Sequence, residues 1–167
     1  ITSILATICK DKNRQVLVLS SRRQHLDDLY VLLKNDFSVG YYVGGMKQTD
    51  LKESESKQIV LGTYAMSSEG LDIKSLNTLV LASPMTNITQ SVGRILRCIH
   101  KDIVPEIYDI CDMFSCFARQ SYTRKKNYNE SKYKVYLNVV KSMKEFNPTS
   151  IRNNSKLYTK SAKCNIK

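Results

Sequence analysis

The sharpest chemistry in this chain of 167 residues lies in the octapeptide QSVGRILR, residues 90–97. Arg94 and Arg97 are three apart, so on a helix they share a face, and Gln90 lies one turn before Arg94 on roughly the same side. Two guanidiniums on one face suit a polyphosphate, because each can fork onto anionic oxygens. Gly93 allows another surface to come close. Arginine supplied across an interface stabilises the charge that develops in phosphoryl transfer. The alternative is a solvated helix face with two ordinary arginines.

Three further clusters carry chemistry of the same kind. In GTYAMSSEGLDI, residues 62–73, Thr63 sits just past a strand, and Glu69, Gly70 and Asp72 form a polar turn with Leu71 and Ile73 directed into the core. Amides near Gly70 and the Asp72 carboxylate can take a ribose or a neighbouring arginine; an ordinary strand–helix–turn connection would read the same way. In SSRRQH, residues 20–25, Ser21 and Arg22 at a helix start can hold a phosphate, or Arg22 and Arg23 can simply face solvent, with His25 on the helix surface. Gly44, Gly45 and Lys47 can cradle a backbone phosphate with amides and an ammonium, or form a plain turn. His100, beside Lys101 and Asp102, reads as structural. The sequence contains no GxxxxGK[ST] loop, no acidic pair following a strand, and no nucleophile–His–Asp set.

These clusters need a scaffold, and the apolar runs describe one. Gln15–Leu19, Phe37–Val43, Lys57–Leu61, Asn77–Ala82 and Glu106–Cys111 read as strands. Residues 1–9, Arg22–Asn35, Gln48–Glu55 and Thr89–Cys98 read as helices, and a long polar and aromatic helical segment covers Phe114–Phe146. Leu26, Leu29, Leu32 and Leu33 recur at helical spacing. Runs of apolar residues, more than clean alternation, suit a mainly parallel α/β sheet covered by helices on both faces. Such sheets bind ligands beyond the carboxyl ends of their strands. Ser20-Ser21-Arg22, Gly44-Gly45, Gly62-Thr63 and Ser83-Pro84 all fall at those ends.

Composition narrows the partners. Apolar residues make up 42%, enough for one core. No run approaches the ~18 apolar residues of a membrane span, and the start lacks the features of a signal peptide. It also lacks an initiator Met, as expected of a piece that begins inside a longer protein. The five cysteines form no CxxC pair, and with two histidines they give no zinc pattern. Their odd number suits reduced thiols in an intracellular setting. The net charge of +11 is uneven: residues 119–167 hold 13 Lys/Arg against 2 Asp/Glu, and the rest is neutral. That block suits a polyanion such as DNA or RNA, or else a solubilising tail. Tyr122, Tyr128, Tyr133 and Tyr136 interleave with its charges. They can stack on bases, although packing is the expected role for most of them. Residues 146–167 read as a flexible basic tail or a linker.

Together the clusters resemble the C-terminal, second RecA-like domain of superfamily 2 (DEAD/DEAH-like) helicases, over roughly residues 1–145. VLVLSSRRQHLDDL is similar to the family's fourth motif, GTYAMSSEGLDI to its fifth, and QSVGRILR to its sixth, in the right order. The look is that of phage and large DNA virus helicases of the repair and transcript-release type. The segment from Val104 to Glu130, a final strand followed by a basic helix, fits that group. The resemblance implies an ATP- and Mg2+-dependent DNA or RNA helicase. In it, Arg94 and Arg97 reach the ATP γ-phosphate, Gln90 lines the same cleft, and Gly70 and Asp72 lie near the nucleotide. Thr63, Ser21, Arg22, Gly44, Gly45 and Lys47 would follow the nucleic-acid backbone. The family usually has Ala-Thr where this chain has Gly62-Thr63. The phosphate-binding loop and the magnesium-holding acids belong to a first RecA-like domain outside this chain, so residues 1–167 alone should not hydrolyse ATP. A translocase that does not unwind, and a nucleic-acid-binding module without motor activity, are the alternatives. If the source is viral, the setting is host cytoplasm or virion.

Overall fold

The computed structural model of the chain describes residues 1–69, 71–95, 103–112, 114–138 and 156–157. The chain divides into two compact units, Ile1–Ser121 and Tyr122–Lys167.

The first unit alternates helices and strands: α1 Thr2–Ile8, β1 Val16–Ser20, α2 Arg23–Leu33, β2 Val39–Tyr42, α3 Gln48–Glu55, β3 Ile59–Thr63, α4 Tyr64–Glu69, β4 Thr78–Leu81, α5 Thr89–Ile95 and β5 Glu106–Asp109. The five strands form one sheet in the order β2-β3-β1-β4-β5, and every pairing is parallel. Helices cover both faces, because β1 crosses leftward to β2 while β3 and β4 cross rightward, and right-handed crossovers in opposite directions put their helices on opposite faces. Accordingly α1 packs with α2, and α4 with α5. This is the expected α/β RecA-like arrangement.

Burial on two faces explains the uninterrupted apolar strands. All five residues of β1 are buried, as are all of β4 and the first four of β3. Each fully buried Leu, Ile or Val contributes about 1.5–3 kcal/mol. In α2 the core face is Leu26, Leu29 and Leu33; Leu32, expected on that face, is 64% exposed beside Val31, because it falls off the i, i+3, i+7 stripe. At Gly40 in β2 a Cβ would lie 2.8 Å from Ser54, so the missing side chain is what lets α3 sit against this strand. Tyr41 stacks on Tyr30 of α2 at 4.7 Å between ring centroids. Partial burial, then a hydrogen bond to Asp27, pushes its hydroxyl up to about 12. Burial likewise pushes the Cys9 thiol up to about 11.

The amino edge of the sheet is stitched by polar side chains. Buried Arg14 donates to the Val104 carbonyl at 2.9 Å and to Thr78 Oγ1 at 3.2 Å, and pairs with Glu106 at 3.5 Å. Gln15 Nε2 donates to the carbonyls of Glu55 and Lys57, and Gln58 Nε2 to that of Cys9. Asn77 Nδ2 donates to the Asn13 carbonyl, while Asn77 Oδ1 accepts from the Gln15 amide. These bonds tie β1, β3, β4 and β5 together where they begin.

The strand limits differ slightly from expectation. β3 starts two residues later than Lys57 and runs through Thr63, so Gly62 and Thr63 belong to the strand instead of following it. The largest correction concerns Phe114–Phe146. The helix there is α6, Ser115–Glu130, which does not continue through residues 131–138; residues 139–146 of the expected span lie outside the described residues. Lys132 takes a left-handed backbone (φ 59°), which no α-helix accommodates. Tyr136–Leu137 is instead a short strand, β6, paired antiparallel with β7, Lys156–Leu157. Within the second unit Tyr128 is buried and tilts against Tyr133 at 6.4 Å. Tyr122, Tyr133 and Tyr136 are 73%, 37% and 54% exposed, so packing accounts for only one of the four tyrosines. Arg124 is buried and lies outside the exposed charge.

Candidate nucleotide and nucleic-acid site

Parallel register places the expected contact residues along one edge. Ser20 pairs with Thr63, Tyr42 and Leu19 flank Gly62, and Leu19 pairs with Leu81, which pairs with Asp109. The loops after β2, β3, β1 and β4 therefore follow one another along the carboxyl edge. Gly44 and Gly45 come after β2, both exposed, with Gly45 at φ +82°, a conformation that side chains resist. Lys47 is exposed at the start of α3. Thr63 ends β3, and its Oγ1 accepts the Met66 amide at 3.4 Å, turning the chain into α4. Ser21 and Arg22 are exposed after β1, immediately before α2.

A cleft of ≈ 370 Å³ opens at the ends of β1 and β4, lined by Ser20, Ser21, Arg22, His25, Ser83, Pro84 and Phe117. Connections leave β1 and β4 in opposite directions, which makes this the switch point of the sheet, the place where open α/β sheets bind ligands. Its rim is held by hydroxyls. The Ser21 amide donates to Ser83 Oγ at 2.8 Å, and Ser83 Oγ donates to Ser21 Oγ at 3.2 Å. Ser20 Oγ accepts the Arg22 amide at 3.2 Å and lies 3.1 Å from His25 Nδ1. Sequence reasoning took Ser83-Pro84 only as a strand end and His25 as a surface residue, and gave no role to Phe117. The parallel register was the missing signal.

A second cleft, ≈ 210 Å³, lies beside α5 and is lined by Tyr64, Ser68, Met85, Asn87, Gln90 and Ser91. Gln90 is exposed at its rim. Gly93 is also exposed, and among the described residues nothing outside its own helix backbone lies within 4 Å of where a Cβ would stand. Arg94 continues α5 one turn after Gln90. Arg97, His100 and Gly70 lie outside the described residues. Asp72 is exposed between buried Leu71 and Ile73, as their alternation predicts. The segment bearing Asp72 is coupled to α5 through a buried pair that sequence reasoning missed: Ser67 Oγ in α4 lies 3.2 Å from Ser91 Oγ in α5. Tyr64 reaches the other way, donating its hydroxyl to the Ser83 carbonyl at 2.7 Å, so the two clefts share a wall.

Among the described residues no cluster of His, Cys, Asp and Glu is arranged for a metal ion, and no helix is long and apolar enough to cross a membrane. Among the described residues Cys9, Cys111 and Cys116 are in no disulfide.

Comparison with known proteins agrees with this geometry. The sequence model of the helicase conserved C-terminal domain matches residues 1–101, which take in all three motif segments. The chain is 45% identical over 130 residues to a protein of Acanthamoeba polyphaga mimivirus provisionally named an ATP-dependent RNA helicase, covering 75% of this chain and 25% of that protein. It is 26% identical over 132 residues to the ATP-dependent DNA helicase uvsW of Enterobacteria phage T4, covering 73% and 26%. The chain thus spans about a quarter of the length of the curated relatives it matches. Among solved structures, T4 UvsW superposes with a TM-score of 0.60 at 20% identity over 80% of this chain and 33% of that one. The C-terminal part of the Fun30 ATPase domain gives 0.59 at 18% identity over 72% and 42%. With the three motif segments inside the matched region and the parallel sheet beneath them, the chain belongs to the helicase C-terminal domain family, as a RecA-like domain of superfamily 2 related to phage and viral helicases.

Proposed function

We propose that this domain is the second half of an ATP-driven nucleic-acid helicase, supplying arginines to a nucleotide whose main binding loop lies in a partner domain. The observation that supports this best is the open flank of α5, where Gln90 is exposed at a cleft and Gly93 has nothing within reach. A helix pays for glycine in its interior, and no neighbour within the described residues requires one here. A surface approaching from outside does.

In this reading Arg94 and Arg97 neutralise charge on the γ-phosphate, and Gln90 lines the same cleft. Gly70 and Asp72 lie toward the nucleotide, and Ser67–Ser91 carries displacement between the two segments. This donor set fits one side of ATP. It offers no acidic cluster for Mg2+ among the described residues, so the partner domain holds the metal. Ser21, Arg22, Gly44, Gly45, Lys47 and Thr63 grip the strand backbone without reading sequence. Domain closure and opening then move that grip along the strand. The setting is wherever the strand and ATP meet inside the cell or virion.

Arg97→Ala and Arg94→Ala in the whole enzyme should each lower ATP turnover by about 10³-fold or more while strand affinity stays within about twofold. Equal loss of both activities would assign the arginines to folding or to the strand. Robust ATP turnover by residues 1–167 alone would also refute the division of labour.

A further inference from the structure

The cleft at the ends of β1 and β4 has two unlike walls. One is polar: the exposed Arg22 guanidinium, the Ser21 and Ser83 hydroxyls, and His25. The other is apolar: Pro84 and Phe117, with Phe117 37% exposed near the start of α6. Phe114 stands three residues earlier, 76% exposed, its amide bonded to Asp112 Oδ1 and its carbonyl to the Phe117 amide. A small turn thus presents two aromatic rings at the carboxyl edge, where burial would ordinarily claim them.

His25 is held in the cleft wall by Ser20. Ser20 Oγ accepts the Arg22 amide, and among the described residues its only other partner is His25 Nδ1. In either direction that bond engages Nδ1, so Nε2, the nitrogen remote from Ser20, is the ring atom left to meet a ligand. Arg22, His25 and the Ser21 hydroxyl, which accepts from Ser83 and keeps its own proton to give, line one side of a space whose other side is a ring.

We propose that this cleft holds one unpaired nucleotide of the strand, its phosphate on Arg22, His25 and Ser21, with Ser83 positioning Ser21, and its base against Phe117. The proposal rests on the strand-track reading above and adds to it the residue that selects single strands. A nucleotide joins a planar apolar base to an anionic phosphate through a short sugar, matching the two walls. The volume is that of a cleft for one small ligand, too small for a duplex. In a duplex the bases are already stacked on each other, so Phe117 gains nothing from double-stranded nucleic acid, whereas base–aromatic stacking tolerates any sequence in a single strand.

The test uses the full 167-residue chain with a fluorescein-labelled oligothymidine, the same oligomer with abasic sugars in place of nucleosides, and a duplex. Each is followed by anisotropy across a salt series. Wild type should bind the oligothymidine about tenfold more tightly than the abasic oligomer. Phe117→Ala should remove that difference by weakening oligothymidine binding alone, with the salt slope unchanged because no phosphate contact is lost. Phe117→Leu keeps the apolar wall but lacks the ring. It should melt like wild type and bind like Phe117→Ala. The basic remainder of the chain, with its exposed Tyr122, Tyr133 and Tyr136, is the same in wild type and variant, so what Phe117→Ala changes belongs to Phe117. Equal weakening on both oligomers, or none on either, would overturn the stacking assignment, as would displacement of the oligomer by free ADP. Arg22→Ala is the separate control for the track itself and should reduce the salt slope by about one. If that slope does not move, the track reading fails whatever Phe117 does.

Discussion

Gly93→Ala separates the two jobs of α5, because its effects on stability and on activity have opposite signs. A glycine inside a helix costs about 0.5–1 kcal/mol relative to alanine. Among the described residues the alanine methyl at this position meets nothing beyond its own helix within 4 Å, so no contact there offsets the gain. The variant should therefore be more stable by about 0.5–1 kcal/mol. For a chain of this size that raises the melting temperature by about 2–4 °C per kcal/mol. Urea unfolding of the isolated chain should show a higher midpoint with an unchanged slope. In the whole enzyme the same methyl stands on the flank that is proposed to meet the nucleotide and its partner domain. Holding Arg94 and Arg97 back by even an ångström costs about 10²-fold in a positioned reaction, so ATP turnover should fall by about that much while strand binding is retained. A lower melting temperature would show that Gly93 packs inside the protein. A higher one with normal turnover would show that this flank faces solvent throughout the cycle.

Two further perturbations test the scaffold. Arg14→Met keeps the aliphatic stem but loses the bonds to Val104 and Thr78 and the Glu106 pair; it should cost about 2–3 kcal/mol in urea unfolding with strand affinity of the folded protein within about twofold, and an affinity loss without destabilisation would move Arg14 into the binding surface. Alkaline pH should act through Cys9, whose thiol rises from 9.0 to about 11 on folding. The folded state favours the neutral thiol, so the stability it contributes is full below pH 9 and is lost as pH climbs toward 11. Tyr41, raised from 10.0 to about 12, extends the decline through that range. Cys9→Ala should flatten the portion between pH 9 and 11 in denaturant titrations, and an unchanged profile would remove Cys9 as the cause.

The strands were legible because a parallel sheet buried on both faces writes itself as apolar runs: VLVL in β1, IVL in β3 and TLVL in β4. The carboxyl-edge loops were legible for the complementary reason, since Ser21, Gly44 and Ser83 interrupt those runs where the chain leaves the core. Three things were not. Lys132 adopts the left-handed backbone that glycine or asparagine usually marks, so the end of α6 carried no breaker signal. Gln15 and Asn77 read only as strand starts and Arg14 as nothing in particular, and only strand adjacency shows that they bond across 40 to 90 positions. Phe117 and Ser83 lie far apart along the chain and share a cleft only once β5 is laid beside β4.

The stitching of the amino edge has a consequence for how such a domain can change over generations. Four strands are anchored where they start by Arg14, Gln15, Gln58 and Asn77, at the end remote from the loops that hold Ser21, Arg22 and Gly44. Replacing an exposed loop side chain away from such anchors usually shifts stability by no more than about 0.5 kcal/mol. Replacing an anchor threatens the whole sheet. Mutational drift is thus channelled into the contact loops, and a lineage can retune its grip on a new strand or a new partner while inheriting the same frame.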